Sequence, residues 1–464
     1  MREESAAPRN SRELAMRNQF FTPRYVVEFL TDNTLGRIWY EMTRGETRLK
    51  EQCRYLVRRP TEIFLEPGET APELPEQEGL SQEELLRQPV YIPHRPLKDP
   101  RELRMLDPAC GSMHFGLYAF DLYEVIYEEA WDRGLASLRA DFPERDDLLG
   151  EIPRLIIEHN IHGIDIDTRA VQIAGLSLWL RAQRSWQQQR LPARHRPQIR
   201  RSNIVCAEPM PGDMAMLREF IASQFSPEEQ PAFTFLLERV FDWMALAGEA
   251  GALLKIEEEI RVAVSEAKQL WKKRPQYEQG YLFAEITPKK PEQLELDLSG
   301  ISDENFWGNV EDRIYSALQE YAEQMESSGY QRRLFAEDAA RGFAFIDLSR
   351  KSYNLVLMNP PYGSPSEASK KYLPEQYPTN WIEIYLCFVQ RMLKIVTDGY
   401  IGALTSRTWM YLAKFMSLRK KISNYSAQII FIKSNKVLDR VFVKFFQNPT
   451  SFRLSTEHCF IRPK

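Results

Sequence analysis

The residues whose types and spacing best suit a chemical role are Asn359-Pro-Pro-Tyr362, which directly follow an apolar strand pattern at 353–358. Pro360 and Pro361 hold the backbone extended and remove two N–H donors, so carbonyl groups are left to accept hydrogen bonds. The asparagine adds a side-chain acceptor, and the tyrosine adds a planar ring. Two acceptors beside a stacking surface suit a planar base that carries an amino group and has been drawn out of its helix. We therefore predict a catalytic loop here; the alternative is a proline-rich turn after a buried strand.

A second candidate site is the turn Asp107-Pro-Ala-Cys-Gly-Ser, which follows a short strand pattern at 102–107. Its small residues let backbone N–H groups approach a ligand closely, and Gly111 supplies conformational freedom. The turn contains no Gly-x-Gly-x-x-Gly, and Met113 stands where a second glycine is expected. A ligand with one adenosyl group is therefore favoured over a dinucleotide. An ordinary strand-to-helix turn is the alternative.

Acidic residues end the next strand pattern, at 161–167. A carboxylate in this position of an α/β sheet accepts hydrogen bonds from both ribose hydroxyls of an adenosine ligand. Asp165 and Asp167 are two residues apart and point to the same side of a strand, so we predict that one binds while the other caps the following helix. The alternative is that the acids only cap the helix.

The order of the patterns predicts how these residues are positioned. Strands alternate with helices, which indicates a mostly parallel, doubly wound α/β sheet. Ligands of such sheets bind outside the carboxyl ends of the strands, so one crevice can collect Asp107, Asp165, Glu208 and Asn359. At the amino-terminal end, Thr22-Pro23 predicts a helix start with threonine as the cap and proline as the first helical residue.

Composition excludes several classes of protein. The chain has 464 residues, of which 43% are hydrophobic and 27% charged, as in globular proteins. No apolar run is long enough to span a membrane, and the polar start is not a secretory signal. The five cysteines are scattered and form no Cys-x-x-Cys pair, which argues against a disulfide framework or a cysteine zinc site and favours a reducing compartment. We therefore expect a soluble cytoplasmic protein.

The charge is distributed unevenly along the chain. The net charge is −4, but the segment 400–464 carries 12 Lys and Arg against two acids, a net +10, which leaves −14 for the remainder. A basic segment on an acidic body indicates a surface that faces a polyanion. Arg419, Lys420 and Lys421 lie in a helix pattern and are the predicted phosphate contacts beside the catalytic loop. A solvated basic helix face is the alternative.

Together these motifs resemble a known family. Asn-Pro-Pro-Tyr with Asp-Pro-Ala-Cys-Gly-Ser upstream resembles the amino-methyltransferases that modify adenine in DNA with S-adenosylmethionine. Phe21-Thr-Pro, followed by Val26-Val-Glu-Phe, is similar to the N-terminal motif of their gamma-type order, and 163–167, 176–180 and 402–409 follow in the family's order. The likeness is greatest to the adenine methyltransferases of BREX phage-defence systems (the PglX group) and to methylases attached to type IIG restriction enzymes, and it runs from about residue 20 to 425.

The resemblance implies a class I, Rossmann-like methyltransferase fold with a central, mostly parallel sheet and a large helical insertion. It implies site-specific methyl transfer to the N6 amine of adenine in DNA, with no metal, and DNA together with BREX or restriction-modification subunits as partners. The amine would donate to the Asn359 side chain and the Pro360 carbonyl. Asp165 would bind the ribose of the cofactor, and Glu208, with Asn203 as the fallback, would accept from its adenine amine. The implied cofactor-binding residues are Phe21, Thr22, Pro23, Asp107, Ala109, Gly111, Asp165 and Glu208.

With this resemblance the chain divides into six predicted segments. They are an N-terminal helical segment with the Phe-Thr-Pro motif (1–60), an acidic, proline-rich insertion (61–100), the cofactor-binding half (101–212), a helical insertion (213–345), the catalytic half (346–434) and a basic C-terminal segment (435–464).

Three departures from the family pattern affect these expectations. Met113 replaces the usual glycine, the stretch 437–464 lacks the late aromatic motif, and relatives are generally longer, so a truncated or naturally shortened member is expected. Two alternatives for the function therefore stay open. One is a methyltransferase that acts on RNA or on protein glutamine; the other is an inactive or partner-dependent fragment that binds the cofactor or DNA.

Overall fold

The computed structural model describes residues 21–72, 87–209, 214–272, 342–406, 412–423, 426–432 and 440–446, and in addition 81, 84, 309–310, 312–317, 320 and 409. The chain forms two compact units: Met1–Cys206 together with Lys351–Lys464, and Ala207–Arg350. The three motifs that contain Asp107, Asp165 and Asn359 all belong to the first unit.

The described residues of the first unit include the following helices. They are α1 (Arg24–Thr31), α2 (Arg37–Met42), α3 (Leu49–Gln52), α4 (His114–Asp132), α5 (Ala136–Asp141), α6 (Arg145–Leu155), α7 (Thr168–Gln188), α12 (Tyr372–Gln376), α13 (Ile384–Ile395) and α14 (Met416–Ser423). The second unit supplies α8 (Met214–Gln224), α9 (Gln230–Met244), α10 (Ala247–Ala250) and α11 (Ile256–Lys272). Of the described helices, none is both long and apolar enough to cross a membrane.

A seven-stranded sheet forms the centre of the first unit. Its strands are β3 (Met105–Asp107), β4 (Ile161–Asp165), β5 (Asn203–Cys206), β6 (Tyr353–Met358), β7 (Val396–Ser406), β8 (Ser426–Ile432) and β9 (Arg440–Phe446), in the order β5-β4-β3-β6-β7-β9-β8. The first five are parallel, and β9 is antiparallel to both β7 and β8. A separate parallel pair consists of β1 (Glu62–Phe64) and β2 (Val90–Ile92). The predicted mostly parallel α/β sheet is confirmed.

The central strands are buried because helices cover both faces of the parallel part of the sheet. All of β3 is buried, and β4 and β6 are buried apart from one half-exposed residue each. Near-continuous apolar strands are the expected sequence of a parallel sheet that is covered on both sides. This burial leaves the strand ends as the places where polar side chains meet solvent.

The N-terminal helices pack directly against β7. At Gly402, a Cβ atom would lie 2.9 Å from Leu357 Cδ2 and 3.2 Å from Thr34 Cγ2, so only glycine permits this approach. Further along β7, the hydroxyl oxygen of Tyr400 lies 2.6 and 2.5 Å from the two carboxylate oxygens of Glu41. These contacts hold the segment that runs from the end of α1 to α2 against β7.

The described residues of the second unit are mostly helical. Apolar side chains along one side of α9, from Phe233 to Met244, are buried. The rings of Phe225 and Phe233 stack at 3.8 Å, and the Arg313 guanidinium lies 4.8 Å from the Phe233 ring centre and 2.7 Å from Glu229. This unit therefore has a core of its own.

Several predicted boundaries were wrong by a few residues. The first helix begins at Arg24 with Pro23 as its N-cap and no side-chain cap, so Thr22 does not cap it. The strand predicted from 102 begins at Met105, because Pro100–Glu102 form a 3-10 turn. The strand predicted to reach 167 ends at Asp165, because Asp167 already caps α7.

Candidate active site

Three loops of the candidate site lie at the same edge of the sheet. The strands β4, β3 and β6 are neighbours and parallel, so their carboxyl ends point the same way. The last residues of β3 and β4 are Asp107 and Asp165, and Asn359 directly follows β6. The topology therefore brings the predicted nucleotide loop and the predicted catalytic loop to one crevice of the kind that binds ligands in α/β sheets.

Backbone donors hold the acidic pair in place. The N–H of Gly111 donates to Asp165 Oδ2 at 2.8 Å, and the N–H of Asp167 donates to Asp165 Oδ1 at 2.9 Å. Asp107 Oδ1 accepts from the N–H of Ala109 at 3.2 Å. Burial raises the pKa of Asp107 to about 8 and also raises the pKa of Asp165. The carboxyl groups of Asp107 and Asp165 therefore lie at the carboxyl ends of the neighbouring strands β3 and β4, beside the turn.

The turn after β3 is open at one glycine. Gly111 has a φ of +51°, and apart from its two chain neighbours no heavy atom of the described residues lies within 4 Å of where its Cβ would be. A left-handed backbone and free space on the same residue are the features that let a ligand approach the main chain. The turn thus leaves open space beside a left-handed stretch of backbone.

Met113 has a left-handed backbone conformation, which glycine adopts most readily. Its φ of +68° and ψ of +37° are left-handed, and it is the residue immediately before α4. The side chain is fully buried in the core, where it lies over Gly116. A Cβ added at Gly116 would lie 2.8 Å from Met113 Cε. Met113 therefore combines a left-handed backbone conformation with a side chain that packs in the core.

The predicted catalytic loop, Asn359–Tyr362, is hydrogen-bonded to two other parts of the chain. The Asn359 Nδ2 group donates to Thr22 Oγ1 at 3.1 Å, and the Tyr362 hydroxyl donates to the Leu404 carbonyl at 2.9 Å. The Tyr362 ring lies 5.6 Å from the ring of Tyr385, at an interplanar angle of 37°. Sequence reasoning missed Tyr385, which lay inside a helix pattern with no motif to distinguish it.

The residues of the Phe-Thr-Pro motif have different surroundings: two are exposed to solvent, and Thr22 contacts Asn359. Phe21 is 82% exposed, and its ring lies edge-on to that of His114 with ring centres 6.4 Å apart. Pro23 is exposed, and Thr22 is half-buried. The Thr22 hydroxyl therefore bonds with Asn359 of the predicted catalytic loop, whereas the predicted role of Thr22 was cofactor binding.

The other predicted site residues lie as follows. Asp167 Oδ1 accepts from the Arg169 N–H at 3.0 Å, which confirms it as the helix cap. Glu208 is half-buried in the second unit, two residues beyond the end of β5, and its cofactor role stays a prediction. Asn203 begins β5, at the opposite end from the crevice, and donates to backbone carbonyls of Ile157 and Glu158, so it does not suit the fallback role.

The predicted phosphate contacts lie on α14. Arg419 Nη1 donates to the carbonyls of Trp409 and Leu412 at 2.7 and 2.8 Å, so its guanidinium binds the chain that leads into this helix. The side chains of Lys420 and Lys421 lie outside the described residues, as do 447–464. Among the described residues, no group of three or more His, Cys, Asp and Glu side chains is arranged to hold a metal ion.

Comparison with known proteins identifies relatives. The profile of the family described as Eco57I restriction-modification methylase matches residues 159–438, which include β4 and the Asn-Pro-Pro-Tyr loop. The chain is 24% identical over 413 residues to the adenine-specific methyltransferase BrxX of Escherichia coli O9:H4 (strain HS), covering 88% of this chain and 28% of the relative. It is 22% identical over 418 residues to the adenine-specific methyltransferase PglX of Lacticaseibacillus casei (strain Zhang), covering 88% and 27%.

A third relative is a putative type II restriction enzyme and methyltransferase, RM.MjaORFECS2P, of Methanocaldococcus jannaschii. It is 23% identical over 373 residues, covering 74% of this chain and 29% of the relative. The chain thus spans less than a third of the length of each of these relatives.

Proposed function

The chain belongs to the Eco57I restriction-modification methylase family, and from that premise we propose that it transfers a methyl group from S-adenosylmethionine to the N6 amine of adenine in DNA. The observation that carries the proposal is the Asn359–Tyr362 loop. It follows β6, the neighbour of β3, whose own end bears the open turn at Gly111. A base-binding loop and a nucleotide-binding turn on adjacent strands are the two parts that such a reaction needs.

The turn after β3 fits an adenosyl ligand. Gly111 leaves open space, and the Asp165 carboxylate beside it can accept from ribose hydroxyls. Buried acidic groups here also suit a ligand that carries positive charge at its sulfonium and amino groups. When bound, S-adenosylmethionine supplies an electrophilic methyl group. We assign its binding to Phe21, Thr22, Pro23, Asp107, Ala109, Gly111, Asp165 and Glu208.

The catalytic loop would act on the amine by hydrogen bonding. The exocyclic amine of adenine is a poor nucleophile because its lone pair is delocalised into the ring. The Asn359 carbonyl oxygen and the Pro360 carbonyl would each accept one of its hydrogens, which favours a pyramidal nitrogen with a localised lone pair. The same acceptors stabilise the positive charge that develops on the nitrogen. Tyr362 would stack on the base and hold it in the orientation for attack.

Several finer points belong to the same proposal. The relatives are named as adenine-specific methyltransferases and as a restriction enzyme with a methyltransferase, which supports DNA as the substrate and a role in phage defence or restriction-modification. BREX or restriction-modification subunits are the proposed partners. We also propose that the enzyme is cytoplasmic, because its proposed substrate is chromosomal or invading DNA. Arg419, Lys420 and Lys421 are the proposed phosphate contacts.

The direct test is methyl transfer to three polymers. The purified chain is incubated with tritium-labelled S-adenosylmethionine and, separately, with DNA, RNA and protein. We expect label in DNA, located on N6 of adenine by digestion and chromatography, and no label with Asn359→Ala, which should still bind the cofactor. Label in RNA or protein alone would instead support one of the other methyltransferase substrates. Cofactor binding without transfer to any polymer would support the partner-dependent fragment.

Modification-sensitive sequencing complements this assay. DNA from cells that express the chain is compared with DNA from cells that express Asn359→Ala. We expect methylated adenines at a defined sequence in the first sample only. Identical methylation in the two samples would contradict the assignment of Asn359 as the catalytic residue.

A further inference from the structure

The side chain of Asn359 is hydrogen-bonded to a residue near the N-terminal end of the described chain. Its Nδ2 group donates to Thr22 Oγ1 at 3.1 Å across 337 positions of sequence. Both residues belong to the first unit, where α1 is fixed against β7 near Gly402. The contact is therefore part of the same packing that holds the N-terminal helix on the sheet.

Thr22 is well suited to hold a partner in a fixed position. It precedes Pro23, and a residue before proline is restricted to extended backbone conformations. Its β-branched side chain is stiff about χ1, so few positions are open to the hydroxyl. The neighbouring Pro23 has φ −59° and ψ 144° and directly precedes α1, which anchors the segment. The hydroxyl thus comes from a rigid part of the chain.

An asparagine amide needs such a partner for the proposed chemistry. The torsion about χ2 of asparagine is broad and roughly two-fold, so an unrestrained amide samples many planes. A hydroxyl can accept as well as donate, so the bond to Thr22 fixes the plane of the amide. The amine of the base is a donor, and it then selects the orientation in which Oδ1 faces it and Nδ2 faces Thr22.

We infer that Thr22 is a positioning residue for Asn359, in a role separate from the cofactor contact assigned to it above. The inference rests on the proposed methyl transfer and deepens it. The Phe-Thr-Pro motif then couples the cofactor-binding half to the catalytic loop, because one residue serves both. Removing the hydroxyl should lower the rate of transfer even when the cofactor site is saturated.

The test compares Thr22→Val with Thr22→Ser. Valine keeps the β-branched shape and removes the oxygen, whereas serine keeps the hydroxyl. Single-turnover transfer to DNA is measured at saturating cofactor, and the cofactor Kd is measured by calorimetry. We expect the valine variant to lose about tenfold in rate at saturating cofactor, the equivalent of one hydrogen bond, in addition to any rise in Kd that follows from its assigned cofactor contact. The serine variant should recover most of that loss.

Two kinetic outcomes would overturn the inference. A valine variant with a raised Kd and an unchanged saturated rate would show that Thr22 serves only the cofactor. A saturated rate that falls equally in the serine variant would show that the hydroxyl is not the responsible group.

Crystal structures separate this inference from the proposed function. If the parent transfers no methyl group to DNA, the proposed function fails, and the position of the Asn359 amide is then compared in the parent and in Thr22→Val. A rotated or doubly placed amide in the valine variant supports the positioning role. An amide that keeps its position without the hydroxyl overturns it.

Discussion

Tyr362 donates its hydroxyl hydrogen to the backbone carbonyl of Leu404, at 2.9 Å, and this bond ties the catalytic loop to β7. The ring that is proposed to stack on the base is therefore held at its far end by the sheet. Tyr385, which is buried on α13, lies against the ring at 5.6 Å. The loop does not depend on its prolines alone for its position.

The first prediction separates the ring of Tyr362 from its hydroxyl. Tyr362→Phe keeps the stacking face and should stay active, with a loss of no more than about tenfold because one hydrogen bond is removed. Tyr362→Ala removes the stacking face, which is worth about 1–3 kcal/mol per base, and should lose most activity. Single-turnover transfer rates at saturating cofactor measure both. A phenylalanine variant as inactive as the alanine variant would assign the essential role to the bond with Leu404.

The second prediction concerns the two acids after β4. Asp165→Ala should weaken cofactor binding by about tenfold or more, because a charged acceptor contributes roughly 1.5–3 kcal/mol. Asp167→Ala is the matched control: it removes the N-terminal cap of α7 and should leave the cofactor Kd nearly unchanged. Calorimetric titration with S-adenosylmethionine gives both constants. Equal effects of the two substitutions would argue that Asp165 acts through local structure only.

The third prediction follows from Met113. Because a Cβ at Gly116 would lie 2.8 Å from Met113 Cε and 3.0 Å from Ile161 Cγ2, Gly116→Ala should destabilise the protein by about 1–3 kcal/mol. The same substitution should cost less in a Met113→Gly background, where the space is free. A double-mutant cycle by denaturant unfolding measures the coupling. Additive effects would mean that the two side chains do not meet in solution.

The strand-end residues were predictable from sequence because period and burial are local signals. The limits 353–358 of β6 were predicted without error, and the alternation of strands and helices was enough to predict a mostly parallel sheet. The sequence also indicated that Asp107, Asp165 and Asn359 would lie at the same edge of the sheet, at the carboxyl ends of its strands. These expectations rest on the fixed geometry of parallel strands.

The contacts of the site were not predictable, because they depend on tertiary packing. Thr22 has the sequence signature of a helix cap, yet its hydroxyl bonds with Asn359, and the helix begins without a side-chain cap. Similarly, nothing local to Tyr362 indicates that Leu404, 42 residues away, accepts its hydroxyl. The roles of Glu208, Lys420 and Lys421 stay predictions.

The last prediction is a dependence of stability on pH that originates at Asp107. Burial raises the pKa of this carboxyl from 3.8 to about 8. Between these values the unfolded chain is ionised at Asp107 while the folded protein keeps the proton, so the unfolded state binds fewer protons. The contribution of this group to the free energy of unfolding is therefore complete below about pH 4 and falls as pH rises toward 8. Asp107→Asn cannot titrate and keeps an acceptor for the Ala109 N–H. Urea unfolding from pH 5 to 8 should show the parent losing stability relative to this variant as pH rises. Parallel curves would contradict the prediction and mean that Asp107 is already ionised in the folded protein over this pH range.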